Sequence, residues 1–220
     1  MPHLMTARPW LLSLMILAGL AINAHRAHAG ELRHIVVAGG CFWCVEADFE
    51  KVKGVTEAVS GYTGGTTENP TYKQVTRGGT GHYEAVRIDY DSGVVTRDEL
   101  YHLFFRSVDP TDAGGQFCDR GDSYRTAIFV SNPAEKAAAT RAKAEAEKAL
   151  GRKIVTPILE AGLFYKAEAY HQDYYKGTKR VLTRFGAIRQ ADAYKRYRKG
   201  CKRDARIEKL WGKDAPFISG

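Results

Sequence analysis

The residues able to do chemistry gather early in the chain. Gly40-Cys41-Phe42-Trp43-Cys44-Val45-Glu46 follows directly on the apolar run Ile35-Val36-Val37-Ala38. That order predicts a buried strand, a glycine turn and a helix opened by a cysteine. A thiol at a helix N-terminus meets unpaired N–H groups and the positive end of the helix dipole. Both favour the thiolate, which is the reactive form. Sulfur chemistry is therefore expected, with Cys41 as nucleophile and Phe42 and Trp43 as walls of an apolar pocket. Cys41 and Cys44 also form a C-x-x-C, which on its own fits a thiol–disulfide redox pair, half of a zinc site, or a nucleophile with a small neighbour. Zinc needs two more ligands at metal spacing, and the chain has no second C-x-x-C or nearby Cys/His pair, so no metal is expected. A thioredoxin-like fold places its aromatic before the motif, whereas both aromatics here lie inside it.

Those residues need elements to hold them. Residues 34–38 read as a buried strand and 41–51 as a helix with Cys41, Val45 and Phe49 on one stripe. Residues 55–62 suit a strand, 68–72 a turn, 77–81 a Gly-rich connection and 82–90 another strand. Thr96 and Glu99 form a capping box for a helix that Asp109-Pro110 stops. Residues 111–123 are polar, Gly-rich and irregular, a composition typical of functional loops. A strand over 124–130, a long Ala/Glu/Lys helix from Pro133 to Leu150 and a strand over 154–160 follow. Beyond Gly162 the chain is aromatic-rich and reads as short helices and loops wrapping the core. The order predicts an α+β fold, a ferredoxin-like α/β sandwich with a mainly antiparallel sheet and a long, partly irregular C-terminal segment.

The 220 residues suffice for a substantial core. Residues 1–29 read as a secretory signal: Arg8, an apolar stretch over 11–22 too short to span a membrane comfortably, and Ala27-His28-Ala29 as a cleavage site. An uncleaved N-terminal anchor is the alternative. A single domain over 30–220 is expected, exported to the periplasm, with no stable membrane insertion after cleavage. Losing Arg8 and Arg26 from 33 basic residues, against 25 acidic ones, leaves a net charge of +6. Much of the excess lies in Lys195-Arg196-Tyr197-Arg198-Lys199 and Lys202-Arg203, which reads as a solvated surface. No nucleic-acid recognition motif is present, so no nucleic-acid partner is expected. No uncovered apolar stripe stands out, and a monomer is expected. Four cysteines are too few for a disulfide scaffold; a thiol enzyme outside the cytoplasm needs electrons supplied to it.

Gly40-Cys41-Phe42-Trp43 resembles the active-site signature of the peptide methionine sulfoxide reductase A family. Gly61-Tyr62-Thr63-Gly64-Gly65, Asn69-Pro70-Thr71-Tyr72, Gly81-His82-Tyr83-Glu84, Asp109-Pro110-Thr111, Tyr124-Arg125-Thr126-Ala127-Ile128 and Ala167-Glu168-Ala169-Tyr170-His171-Gln172-Asp173-Tyr174 look like further family blocks, in family order. The resemblance covers most of the chain after residue 29. It implies an oxidoreductase that repairs oxidised proteins and peptides by reducing methionine-(S)-sulfoxide. It implies no bound cofactor and an external dithiol donor, thioredoxin in the family and a thioredoxin-like domain for an exported member.

In that reading Cys41 attacks the sulfoxide sulfur. The resemblance makes Glu84 the proton donor to the departing oxygen, which requires it to be protonated near neutral pH; burial in an apolar pocket favours that form. Tyr72 and Tyr124 would hydrogen-bond the sulfoxide oxygen, and Phe42 and Trp43 would form the slot for its methyl group. Asp119 would orient its loop or contact the substrate backbone, with His171 and Tyr174 supporting the pocket. Each has a plainer alternative: Glu84 as a solvent-facing acid, the aromatics as ordinary core, Asp119 as a turn residue. The enzyme product is a Cys41 sulfenic acid, which a second cysteine converts to a disulfide. The family often keeps that cysteine in a flexible C-terminal segment, which puts Cys201 first. Cys44, where the commonest signature has glycine, and Cys118, beside Asp119, are the other candidates. Two other function classes remain: a general thiol–disulfide oxidoreductase using Cys41 and Cys44, with no need of Glu84, and a non-catalytic module binding oxidised or aromatic peptides, with no need of Cys41.

Overall fold

The computed structural model describes residues 30–184 and 186–218. The expected signal segment and its cleavage site lie outside the described residues. Strands β1 (Leu32–Gly39), β2 (Val55–Thr63) and β3 (Tyr83–Asp91) come first, with helix α1 (Phe42–Phe49) between β1 and β2 and the short α2 (Tyr72–Arg77) between β2 and β3. Helix α3 (Arg97–Ser107) leads to a small hairpin of β4 (Gly115–Gln116) and β5 (Asp119–Arg120), then β6 (Thr126–Val130), α4 (Pro133–Leu150) and β7 (Ile158–Glu160). The C-terminal part holds β8 (Tyr165–Lys166), a hairpin of β9 (Arg180–Thr183) and β10 (Gly186–Arg189), α5 (Gln190–Gly200) and α6 (Arg203–Trp211).

The central sheet has the order β7-β6-β1-β3-β2-β8. The β1–β3, β1–β6, β2–β3 and β2–β8 pairs are antiparallel and β6–β7 is parallel, so the sheet is mainly antiparallel as expected. Side-chain alternation decides its two faces. Val37 lies between Val86 and Ile128 on a face that joins a core with Phe104 and Phe105 of α3 and the alanine stripe of α4. Ala38, Ala85, Ala127 and Phe129 form the opposite face, covered by Leu159 and Phe164. Helix α3 has the expected capping box, Thr96 Oγ1 accepting from Glu99 N–H at 3.2 Å. Helix α4 begins at Asn132, whose side chain accepts from Glu135 N–H at 2.9 Å, and ends at Gly151 with φ 62°.

Three departures have identifiable causes. The turn expected over 68–72 runs into α2, because Gln74 Oε1 accepts the Thr71 N–H at 2.9 Å and starts a helix there. The strand expected over 154–160 is shorter, since Ile154 N–H donates to Glu147 and Val155 N–H to the Pro110 carbonyl instead of to a ladder. The basic C-terminal run is only partly solvated. Lys195, Lys199 and Lys202 are exposed, but Arg198 and Arg203 are buried. Arg198 pairs with Asp48 of α1 and with Asp204, each at 2.7 Å, and Arg203 donates to the Ser107 carbonyl at 2.7 Å. Desolvating a guanidinium costs several kcal/mol by order of magnitude unless a partner offsets it. That partner is 150 residues away in sequence, where no local charge rule would find it. Among the described residues no helix is long and apolar enough to cross a membrane.

Candidate active site

Strand β1 delivers the chain to Gly40, whose φ of 80° suits glycine and where a Cβ would lie 2.5 Å from Cβ of Gln116. Cys41 follows as the N-cap of α1, its carbonyl accepting from Cys44 N–H at 3.0 Å. A pocket of about 60 Å³ opens on Cys41. Phe42 and Trp43 line it from α1, Glu84 from β3, Tyr72 from α2, and Asp119 and Tyr124 from the 111–124 region. Seven of the expected residues therefore converge. Tyr174 instead lies behind Trp43, stacked on the indole at 3.8 Å and 5°.

The acid is the most constrained member. Glu84 is 1 % exposed; its Oε2 accepts from the Phe42 N–H at 3.1 Å, and its buried Oε1 has no hydrogen-bond partner. Burial pushes its pKa up to about 8, with Asp119 and Cys44 adding to the rise and the Phe42 N–H opposing it. The solvent-facing alternative for Glu84 fails on its burial. Tyr72 and Tyr124 are held neutral, their pKa values raised first by burial and next by the Glu84 charge.

The thiols correct the expectation of a thiolate on Cys41. Cys41 and Cys44 are both buried and free, and hydrogen-bonded to each other. Burial pushes the Cys41 pKa well above its ordinary value; Cys44, Glu84 and Asp119 push it further. Cys44 is lowered, chiefly by the hydrogen bond from Cys41, with Arg203 and Arg198 assisting against burial. A helix end offers only about half a unit charge, which desolvation and two nearby carboxylates outweigh here.

Supporting contacts fix the walls. Glu168 Oε1 accepts the Tyr72 N–H at 2.8 Å and its Oε2 accepts the Tyr62 hydroxyl at 2.8 Å, which locates Tyr72. Trp43 Nε1 donates to His171 Nδ1 at 3.1 Å, and burial holds His171 neutral, its pKa pushed down to about 4. Buried Glu46 accepts from the Asp173 N–H at 2.5 Å and from the Ser60 hydroxyl, pinning the left-handed turn at Asp173 (φ 56°) that precedes Tyr174. Glu46 itself is pushed up to about 7, mainly by burial. Glu46, Glu168 and the pocket-lining Tyr197 had not been singled out. The first two lie inside quoted motif blocks as acids flanked by apolar residues; Tyr197 is hidden within the basic run.

Cys118 and Cys201 form a disulfide with Cα atoms 4.9 Å apart. Cys201, expected in a flexible C-terminal segment, sits at the end of α5, bonded to Cys118, another of the candidates. The disulfide lies in a groove of about 460 Å³ that also contains Trp43, Tyr174 and Tyr197. Among the described residues, the one other close cluster of potential metal ligands, Glu46, Glu50 and Asp173, already holds Lys176, whose Nζ lies 2.7 Å from Glu50 and 2.9 Å from Asp173.

Disulfide exchange alone has no use for a buried, protonated carboxyl beside the thiols, whereas removal of an oxygen atom needs that proton. The site therefore points to a thiol-dependent oxidoreductase acting on an oxygen-bearing group. The family model described as peptide methionine sulfoxide reductase matches residues 33–214, and the chain belongs to that family. It is 47% identical over 186 residues to Peptide methionine sulfoxide reductase MsrA 2 of Rhizobium meliloti, covering 84% of this chain and 87% of the relative. It is 46% identical over 177 residues to MsrA of Bacillus subtilis, covering 80% and 93%. Among solved structures, reduced Mxr1 from Saccharomyces cerevisiae superposes with a TM-score of 0.63 at 31% identity, covering 69% of this chain and 90% of that one. The chain is an oxidoreductase that reduces methionine sulfoxide.

Proposed function

We propose that this protein repairs proteins and peptides oxidised to methionine-(S)-sulfoxide, with Cys41 as nucleophile and Glu84 as acid. The single observation that carries the assignment is Glu84 Oε1: a buried oxygen on a carboxyl protonated at neutral pH, in the wall of the Cys41 pocket and without a partner of its own. The substrate methyl enters between Phe42 and Trp43, where sulfur and methyl groups contact aromatic rings favourably. The sulfoxide oxygen faces Glu84, Tyr72 and Tyr124, which hydrogen-bond it as negative charge develops.

Cys44 accepts the Cys41 proton as the Cys41 sulfur attacks, and Glu84 protonates the oxygen. The net result is Cys41–SH plus sulfoxide giving Cys41–SOH plus methionine. Cys44 then attacks the sulfenic sulfur, forming Cys41–S–S–Cys44 and releasing water. A thioredoxin-like dithiol returns both thiols and leaves as its own disulfide. Cys44 replaces Cys201 as first candidate for this step because it is hydrogen-bonded to Cys41, while Cys201 is bonded to Cys118. Export through the 1–29 signal, a single domain over 30–220 and a monomeric state complete the proposal.

Turnover of the two separated methionine sulfoxide epimers with dithiothreitol, by wild type and Cys41→Ser, tests the assignment. S-epimer reduction that disappears in the variant is expected; reduction of the R epimer, or activity surviving in Cys41→Ser, overturns it.

A further inference from the structure

Tyr197 closes the Cys41 pocket from the C-terminal side. Its hydroxyl donates to Asp119, its ring meets Trp43 edge-on at 6.2 Å, and its carbonyl accepts the Cys201 N–H at 2.9 Å. Cys201 thus lies one turn further along the same stretch of helix, and Cys118 immediately precedes Asp119. The disulfide and the Tyr197–Asp119 hydrogen bond tie the same two segments together at adjacent points.

The space differs sharply on the two sides of this double tie. The Cys41 pocket measures about 60 Å³ and the groove beyond it about 460 Å³. Sites that hold small molecules usually measure roughly 300–1,000 Å³. A methionine sulfoxide side chain, with a methyl, a sulfur, an oxygen and two methylenes, would by itself take up the smaller space at about 10–15 Å³ per water-sized group, which leaves none there for the polypeptide that carries it. Trp43 and Tyr197 belong to the walls of both, so withdrawing Tyr197 would join them.

We propose that Tyr197 gates the substrate pocket and that the Cys118–Cys201 disulfide is the latch that keeps the gate closed. The inference rests on placing the substrate at Cys41. With the disulfide formed, Asp119 is held where it accepts the Tyr197 hydroxyl. A dithiol donor opens the latch: two electrons and two protons pass to Cys118 and Cys201, and the donor leaves as a disulfide. Helix α5 stays anchored by Arg198 on Asp48. The moving part is the β4–β5 tip, with Phe117 at φ 55° before Cys118; besides the disulfide it is held by a two-residue ladder, the Arg120–Asp112 ion pair and the Arg203 guanidinium 4.7 Å over the Phe117 ring. Asp119 then moves off Tyr197, the ring turns out, and the groove receives the polypeptide flanking the oxidised methionine. Substrate is admitted once a donor has acted on this face, and Cys41 is not committed to sulfenic acid before then.

Cys41→Ser/Cys44→Ser leaves Cys118 and Cys201 as the only cysteines. Binding of a methionine-S-sulfoxide peptide to this variant, with the outer pair oxidised and then reduced by dithiothreitol, reads the latch without turnover. The reduced form is expected to bind about tenfold tighter or better, because a closed state lowers apparent affinity in proportion to its population. Tyr197→Ala in the oxidised form is expected to recover that affinity. Equal affinity in both states, no binding in either, or no recovery with Tyr197→Ala overturns the proposal.

A second measurement uses wild-type protein with its outer disulfide intact. At subsaturating peptide the first methionine is expected about tenfold more slowly than after outer-pair reduction, with the saturated rate unchanged. Equal rates at every concentration overturn the gate. A wrong substrate site reveals itself differently, as a sulfenic acid on a cysteine other than Cys41.

Discussion

The backbone N–H of Phe42 donates to Oε2 of Glu84 at 3.1 Å, fixing an acid from strand β3 against the first residue of helix α1 and one residue from the nucleophile. The contact occupies one carboxyl oxygen and leaves Oε1 for the substrate. Glu84→Gln keeps the shape and removes the transferable proton. Methionine formation in a single turnover is expected to fall by about 10²–10⁴-fold, the usual worth of a positioned general acid. A variant within threefold or so of wild type would remove Glu84 from the reaction.

The raised Glu84 pKa sets a pH dependence with a definite sign. The acid form is active and is lost as pH climbs through about 8, so the single-turnover rate should decline on that side. Its ordinary value is 4.5. A carboxyl raised on folding contributes stability that is full below the unfolded value and lost as pH rises through the folded one. Glu84→Gln, which cannot ionise, should therefore show its largest gain in stability relative to wild type above pH 8 or so. Denaturant titrations of both proteins across this range check the sign; a gain confined to acid pH would contradict it.

Tyr72 and Tyr124 supply neutral hydroxyls to the same oxygen. Tyr124→Phe is expected to cost about 10²-fold in kcat, by analogy with loss of one oxyanion-stabilising donor, with KM little changed. Steady-state kinetics on a sulfoxide peptide separate the two constants. A change confined to KM would make Tyr124 a binding group only.

Cys44→Ser removes both the proton acceptor and the proposed resolving thiol. The variant is expected to yield one methionine per enzyme at most, and to leave a Cys41 sulfenic acid that dimedone labels. Wild type without reductant should instead show a Cys41–Cys44 peptide by mass mapping. A Cys41–Cys201 or Cys41–Cys118 link in wild type would reassign the resolving role.

Asp48 faces two buried arginines. Asp48→Asn removes a buried counter-charge from both, leaving Arg198 only Asp204, and is expected to destabilise the fold by about 3–5 kcal/mol. Urea unfolding measures the loss. A cost below about 1 kcal/mol would make the pair no stronger than a surface one.

Much of this site is legible in the sequence because its members sit in short motifs with strong local rules. The β1–Gly40–Cys41–α1 order follows from an apolar run, a glycine that tolerates φ 80° and the helical spacing of Cys41, Val45 and Phe49. Convergence of Tyr72, Glu84, Asp119 and Tyr124 came from resemblance, since no local rule reports that four separate segments meet. The protonation of Cys41 was misjudged because the helix end is visible in the sequence, whereas the burial and the two carboxylates that outweigh it are tertiary. Arg198 and Tyr197 were missed for a related reason: both look like surface residues of a basic run until Asp48 and Asp119 arrive from elsewhere.

The ion pair between Asp48 and Arg198 closes across 150 residues of chain. Helix α1, with both inner thiols, is made long before α5, which completes their cover with Tyr194 and Tyr197. A growing chain therefore passes through a stage in which Cys41 and Cys44 lie without the aromatic roof that later shields them. Premature oxidation is a hazard of biosynthesis for this protein, and truncation before α5 would make that vulnerable stage permanent.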